Sequence, residues 1–231
     1  MILNNADNIA LGNTDVSKVY VGDELVWTHT SYRQVEYIKS TGTQCIKTDI
    51  VPEATYKTVV DMKFDDYLQG SSGWVFGTNR YNVIVYYRSW GMREMAFYAG
   101  YGWYEGIDDS KTTIYYLTSL SYLFDRTTIV LNRGASSFGS TTRTADVPIS
   151  GTIVTGMSFF GYTDTATSVT PYPVHSLRIY GAKIYDSSNQ LIHDLIPVER
   201  SDGELGLYDS ITNKFYGNAG TGTFEKGSYV S

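Results

Sequence analysis

Two adjacent carboxylate pairs, Asp65-Asp66 and Asp108-Asp109, are the first residues to test for chemistry. Cleaving a glycosidic bond takes two carboxyl groups facing one sugar, about 5–9 Å apart. Neighbours on a strand point to opposite faces, so neither pair is a natural acid/base couple. Both sit among turn-forming residues and read as solvated loop carboxylates. The three histidines, His29, His175 and His193, lie far apart and in no metal-ligand spacing. His193 falls in an alternating stretch, where a surface or packed role is the default. The sequence holds no Gly-x-Ser-x-Gly elbow for a serine nucleophile and no phosphate-cradling glycine loop with a following lysine. Cys45 is the only cysteine, so no intrachain disulfide forms, and it reads as a small buried hydrophobe.

The strongest binding signal is aromatic. Trp90, Tyr98, Tyr101, Trp103 and Tyr104 lie close together, spaced by Gly91, Gly100, Gly102 and Gly106. Sugar rings stack on such faces through their C–H groups. Asp108, Asp109, Arg88 and Arg93 are the nearby side chains that can read hydroxyls. The competing reading is core packing, cross-strand pairing or a subunit interface, which use the same side chains. Adjacent residues cannot all face inward, so Tyr101-Gly102-Trp103-Tyr104 favours exposure of at least one ring. Trp27 and Trp74 read as structural.

The elements that must position these residues are strands. Tyr56, Thr58, Val60, Met62 and Phe64 share one parity while Lys57, Asp61 and Lys63 mark the other. This pattern gives a strand with one dry and one wet side. Further β-rich runs cover 35–38, 45–48, 74–77, 83–87, 95–99, 113–117, 128–132, 149–154, 158–162 and 191–198, with Gly, Asn, Ser or Asp between them. Such a rhythm predicts a sandwich or barrel, not βαβ units. Only 119–125 offers a possible helical turn. Between Ser176 and Asp186 the apolar parity slips: Leu177 and Ile179 fall on one face, Ala182 and Ile184 on the other. A bulge at Tyr180-Gly181 would restore a single apolar face. After Leu205–Asp209 come short apolar pieces at 212–216 and 220–224, linked by turn residues. Residues 1–30 form a separate unit. A turn at Gly12–Asp15 precedes a hairpin of Val16–Val21 against Glu24–Trp27, closed by Gly22-Asp23. An isolated hairpin is marginal in water. Val19, Tyr20, Val21, Leu25 and Trp27 are therefore candidate assembly residues.

Composition agrees with this architecture. The 231 residues include 21 tyrosines and 22 glycines, which favour strands and turns. Charged residues make up 18% and hydrophobic residues 42%, too apolar and too weakly charged for a disordered chain. The net charge of −6 comes with no Lys/Arg cluster, which argues against duplex nucleic acid and an anionic membrane surface as partners. No apolar run is long enough to span a bilayer. The segment Met1-Ile2-Leu3-Asn4-Asn5 lacks the basic region and apolar core of a secretory signal, so the expectation is a chain that acts where it is made or leaves by lysis or in a particle.

Two distant segments carry a resemblance. Tyr32–Gln44, reading YRQVEYIKSTGTQ, looks like the start of the concanavalin A-like, or laminin G-like, domains found in bacteriophage structural proteins and gut-bacterial surface proteins. Ser176–Asp186, Leu191–Arg200 and Gly203–Gly227 resemble their C-terminal part. The segment Ile9–Trp27 is similar to short stretches of phage tail and minor structural proteins. The resemblance implies an all-β fold: a concanavalin A-like jelly-roll sandwich of antiparallel sheets over 31–231, behind a hairpin over 1–30. It implies a non-enzymatic virion component at a tail, fibre or head-decoration position. Its partners would be other virion proteins, copies of itself (a trimer being one closed arrangement) and cell-surface polysaccharide. A bacterial surface carbohydrate-binding or adhesion module is the alternative. Some laminin G-like domains hold calcium, which makes Asp108-Asp109 a calcium option; no other cofactor is expected. Some sandwiches of this type are glycoside hydrolases or lyases, and the laminarinase-like branch carries Glu-x-Asp-x-x-Glu on one strand. That spacing occurs nowhere here, which argues against catalysis.

Overall fold

A computed structural model describes residues 10–11, 14–15, 18–28, 30–53, 55–65, 73–78, 81–87, 93–99, 126–131, 134–138, 141–145, 155–163, 169–170 and 176–231. In chain order the strands open with β1 (Ala10–Leu11), β2 (Thr14–Asp15), β3 (Lys18–Val21) and β4 (Glu24–Thr28). The next group is β5 (Tyr32–Gln34), β6 (Ile38–Ser40), β7 (Ile46–Lys47), β8 (Lys57–Phe64), β9 (Gly73–Gly77), β10 (Tyr81–Tyr87) and β11 (Arg93–Ala99). Then come β12 (Thr127–Leu131), β13 (Gly134–Phe138), β14 (Thr141–Ala145), β15 (Ser158–Phe159), β16 (Tyr162–Thr163) and β17 (Val169–Thr170). The last five are β18 (Leu177–Tyr185), β19 (Leu191–Arg200), β20 (Leu205–Asp209), β21 (Lys214–Tyr216) and β22 (Glu225–Lys226). Among the described residues there is no helix, and the pairings are antiparallel.

Two sheets hold the core. The larger, of 11 strands, runs β14-β13-β12-β8-β18-β19-β20-β21, with β5 on β19 and β6 between β18 and β22. The smaller, of five strands, runs β11-β10-β9-β15-β7. The alternation read at β8 is present: Thr58, Val60, Met62 and Phe64 are buried and the residues between them are not. Val60, Met62 and Phe64 meet Phe76, Phe159 and Ile46 of the smaller sheet in one apolar cluster. The Phe76 and Phe159 rings stack at 6.2 Å. Each such burial contributes about 1.5–3 kcal/mol, and this sum of apolar contacts holds the sheets together. Cys45 lies in the same interior with 0% exposure and no disulfide, as its type suggested. Burial pushes its thiol pKa up to about 11.

The bulge expected in β18 is at its place. The register against β8 shifts between Ile179 and Gly181, so Leu177, Ile179, Ala182 and Ile184 all bury. Gly181 takes φ 156°, and a Cβ there would stand 3.2 Å from the Leu195 carbonyl oxygen. Glycine fits both demands.

The N-terminal segment differs in detail. Thr14 and Asp15, expected in a turn, pair back onto Leu11 and Ala10, because an extended dipeptide satisfies its backbone groups better on a neighbour than in a wider turn. The following hairpin, described from Lys18 onward, pairs Val19 with Trp27 and Tyr20 with Leu25 across a bulge; Val16 and Ser17 lie outside the described residues. The expected strands at 113–117 and 149–154 and the helical turn at 119–125 lie outside the described residues. The short piece expected at 220–224 lies against 43–44, with Thr221 N–H donating to the Thr43 carbonyl at 2.9 Å and Phe224 buried, and ladder pairing follows at β22 on β6. Asp65, expected as a solvated loop carboxylate, accepts from Arg178 at 2.7 Å and lies 3.4 Å from Lys39, because β18 and β6 place both cations beside the end of β8.

Candidate functional site

On the inner face of the large sheet, cross-strand partners form rows. One row runs Ile129, Val60, Ala182, Leu195, Asp209 and Lys214 over six strands. The row beside it runs Leu131, Thr58, Ile184 and His193. Partners across a ladder share a face, so Asp209 and His193 stand on the side that buries Leu195 and Ile184. Both rows therefore turn from apolar to polar at the same edge. Asp209 has 0% exposure.

Four donors converge on the Asp209 carboxylate. His193 lies 2.6 Å from Oδ2 through Nδ1, and Thr212 Oγ1 donates to the same oxygen at 2.7 Å. The backbone N–H groups of Asp194 and Ile211 donate to Oδ1, both at 3.1 Å. Burial alone would raise the Asp209 pKa; the bonds from His193, Thr212 and the two amides outweigh it and hold the carboxyl below its usual range. An ionised Asp209 fixes the His193 ring with its Nδ1–H turned inward, which leaves Nε2 as its remaining polar atom. The same carboxylate caps the turn that leads into β21, where Asn213 takes φ 56°, a conformation asparagine tolerates.

Opposite stands the segment after β7. Thr48 anchors it: its N–H and its hydroxyl both donate to the Met157 carbonyl, at 2.9 and 2.7 Å, and Met157 N–H donates to Ile50 at 2.8 Å. This clamp presents Asp49, which accepts from Lys214 Nζ and, at 2.7 Å, from the Tyr216 hydroxyl. The Lys214 ammonium and the Tyr216 hydroxyl hold the Asp49 carboxyl below the usual range. Burial, with the Asp49 charge adding to it, raises the Tyr216 phenol. Between these groups lies a crevice of about 240 Å³, lined by Asp49, Ile50, Val51, Tyr56, His193, Thr212, Lys214 and Tyr216. It opens where β21, at one end of the large sheet, meets β7, at one end of the small one, and a bridge from Ile46 to Asn218 ties the two together.

In chemical terms the crevice offers a fixed imidazole nitrogen, an ammonium, a carboxylate and hydroxyls. Thr212 spends its proton on Asp209, so it is not placed as a nucleophile. Among the described residues no group of three His, Cys, Asp or Glu side chains is placed to hold a metal ion.

Trp90, Tyr101, Trp103, Tyr104, Asp108 and Asp109 lie outside the described residues. Tyr98 lies in β11, paired with Asn82. The hairpin residues Val19, Tyr20, Val21, Leu25 and Trp27 all fall in β3 and β4, with Tyr20 at 53% and Val21 at 68% exposure. Of the crevice, sequence reading singled out only His193, and without a partner. The signal that could have found Asp209 is parity: it continues the alternation of Leu205 and Leu207 into a buried position where a carboxylate needs donors. No family model, no curated protein and no solved structure matches this chain.

Proposed function

We propose that this chain is a non-catalytic structural subunit of a bacteriophage particle, in a tail, fibre or head-decoration position. Its N-terminal hairpin joins it to neighbouring subunits, and its β-domain, a concanavalin A-like jelly roll, faces outward toward host surface polysaccharide. The hairpin carries this reading. β3 and β4 form a two-stranded sheet of their own, and β3 exposes both Tyr20 and Val21. A free ribbon of that kind is marginal in water and gains stability by packing its apolar side chains on a partner. The jelly roll draws support from the strand order, in which β8 lies between the distant β12 and β18. The particle setting draws support from the resemblance of 9–27, 32–44 and 176–227 to phage structural proteins. Closed symmetric rings, a trimer among them, suit a subunit with one such ribbon.

The test is a chain lacking residues 1–30, a cut that falls before β5 enters the large sheet. We expect residues 31–231 to keep the strand-type circular dichroism of the full chain but to sediment as a monomer and to stay out of assembled particles, while the full chain sediments as an oligomer. A monomeric full chain, or normal incorporation of the shortened one, rejects the anchoring role.

A further inference from the structure

We propose that the crevice between His193 and Asp49 seats one neutral, hydroxyl-rich ring: a single sugar residue of a glycan. This assignment is independent of the hairpin's role, and it uses a different part of the chain from the aromatic run at 90–104.

Its first support is the change of character along the sheet. The row on the inner face is apolar from Ile129 to Leu195 and then places Asp209 and Lys214, with His193 beside them, toward the β21 end of the sheet. Asp209 replaces an apolar side chain in this row, and besides capping its own turn it turns the His193 ring toward the crevice. The second support is preorganisation. Asp209 holds the His193 ring at 2.6 Å, and Asp49 holds the Lys214 ammonium and the Tyr216 hydroxyl. The groups that meet a ligand are thus fixed before it arrives, which lowers the entropy cost of binding.

Charge and hydrogen-bond capacity select the ligand. Lys214 is already neutralised by Asp49, and Asp209 adds a second carboxylate behind His193. The crevice therefore has no surplus positive charge for a phosphate, sulfate or uronate. His193 Nε2 accepts a hydrogen bond when the ring is neutral and donates one when it is charged; a hydroxyl group meets either state. Lys214, 49% exposed, has two N–H bonds beyond the one to Asp49 that a ligand oxygen can accept, and Thr212 keeps its lone pairs after donating to Asp209. A set of neighbouring hydroxyls satisfies all of these without bringing a charge. Ile50 and Val51 supply apolar wall for the ring's C–H face, beside the Tyr56 and Tyr216 rings. A volume of about 240 Å³ lies below the range of about 300–1,000 Å³ that holds drug-sized ligands, which fits one ring and not two.

The experiment is saturation-transfer NMR on the full chain. The neutral probes are the methyl glycosides of glucose, galactose, mannose, N-acetylglucosamine and N-acetylgalactosamine; the charged comparators are glucuronate and inorganic phosphate. At least one neutral glycoside should receive saturation, with a Kd of about 1 mM, as suits a single small ring. Val51→Trp fills the crevice from a residue that is 43% exposed, so it leaves the buried bonds untouched and should weaken binding at least tenfold with unchanged circular dichroism. Lys214→Met should weaken it by a similar factor. Trp103→Ala should leave it unchanged. The assignment fails if no neutral glycoside is saturated, if Val51→Trp binds as the parent does, if the charged comparators bind more tightly, or if Trp103→Ala alone abolishes the signal.

Discussion

Asp209→Ala is expected to lower the stability of the fold by about 3–5 kcal/mol, the cost of removing one partner from a buried charged network. The substitution leaves His193 Nδ1, the Thr212 hydroxyl and the amides of Asp194 and Ile211 without their acceptor in an interior position. Asp209→Asn keeps one carbonyl acceptor and should cost less, about 1–3 kcal/mol. The sign of the pH dependence follows from the depressed Asp209 pKa. Its contribution is fully present above the unfolded carboxyl value of about 3.9 and is lost as the pH falls through the lower, folded value. Urea unfolding at neutral pH and again below about pH 4 reads both effects. The gap between wild type and Asp209→Asn should be widest at neutral pH and should narrow in acid. A gap that stays constant, or widens in acid, would show that the carboxylate is not ionised in the fold. Asp49, also depressed, adds an acid loss of the same sign to both chains and cancels in the difference between them.

Gly156→Ala carries the second large effect. A Cβ at this position would stand 1.9 Å from the Thr48 carbonyl oxygen and 3.0 Å from the Asp49 Cα. Both obstacles are backbone, and the bonds from Thr48 N–H to Met157 and from Met157 N–H to Ile50 lock the two segments at this distance. The segments must part for the methyl group to fit, at a cost of about 3 kcal/mol. For a chain of this length that is a fall in Tm of roughly 6–12 °C. Because Asp49 and Ile50 also form one wall of the crevice, sugar binding should weaken at temperatures where the variant is still folded. Ser187→Ala, on an exposed turn, should change Tm by no more than 1–2 °C, about 0.5 kcal/mol. A melting curve for Gly156→Ala that overlays the parent would mean that the two segments are not packed as closely as described.

Local periodicity made part of this molecule legible before any coordinates. The dry parity of Thr58 to Phe64 is a property of seven consecutive residues, and the slip at Tyr180-Gly181 announces a bulge because every side chain would otherwise change face. Pairing partners are different. Nothing near Val60 says that its neighbours are Ile129 and Ala182. The crevice was hidden for the same reason. His193 and Asp209 are 16 residues apart and become partners only through the register of β19 on β20. Asp49 and Lys214, 165 residues apart, meet only once the two sheets have packed. The chain reads as a list of strands; its polar edge exists only in their assembly.

The lone sulfhydryl of Cys45 gives the molecule a built-in clock. It sits in the shared interior with its acidity suppressed, so a native molecule offers an aromatic disulfide reagent neither access nor thiolate. Modification then proceeds only through molecules that have opened, and its rate reports how often they do. Larger species seen on a gel without reductant must likewise have passed through that opened form.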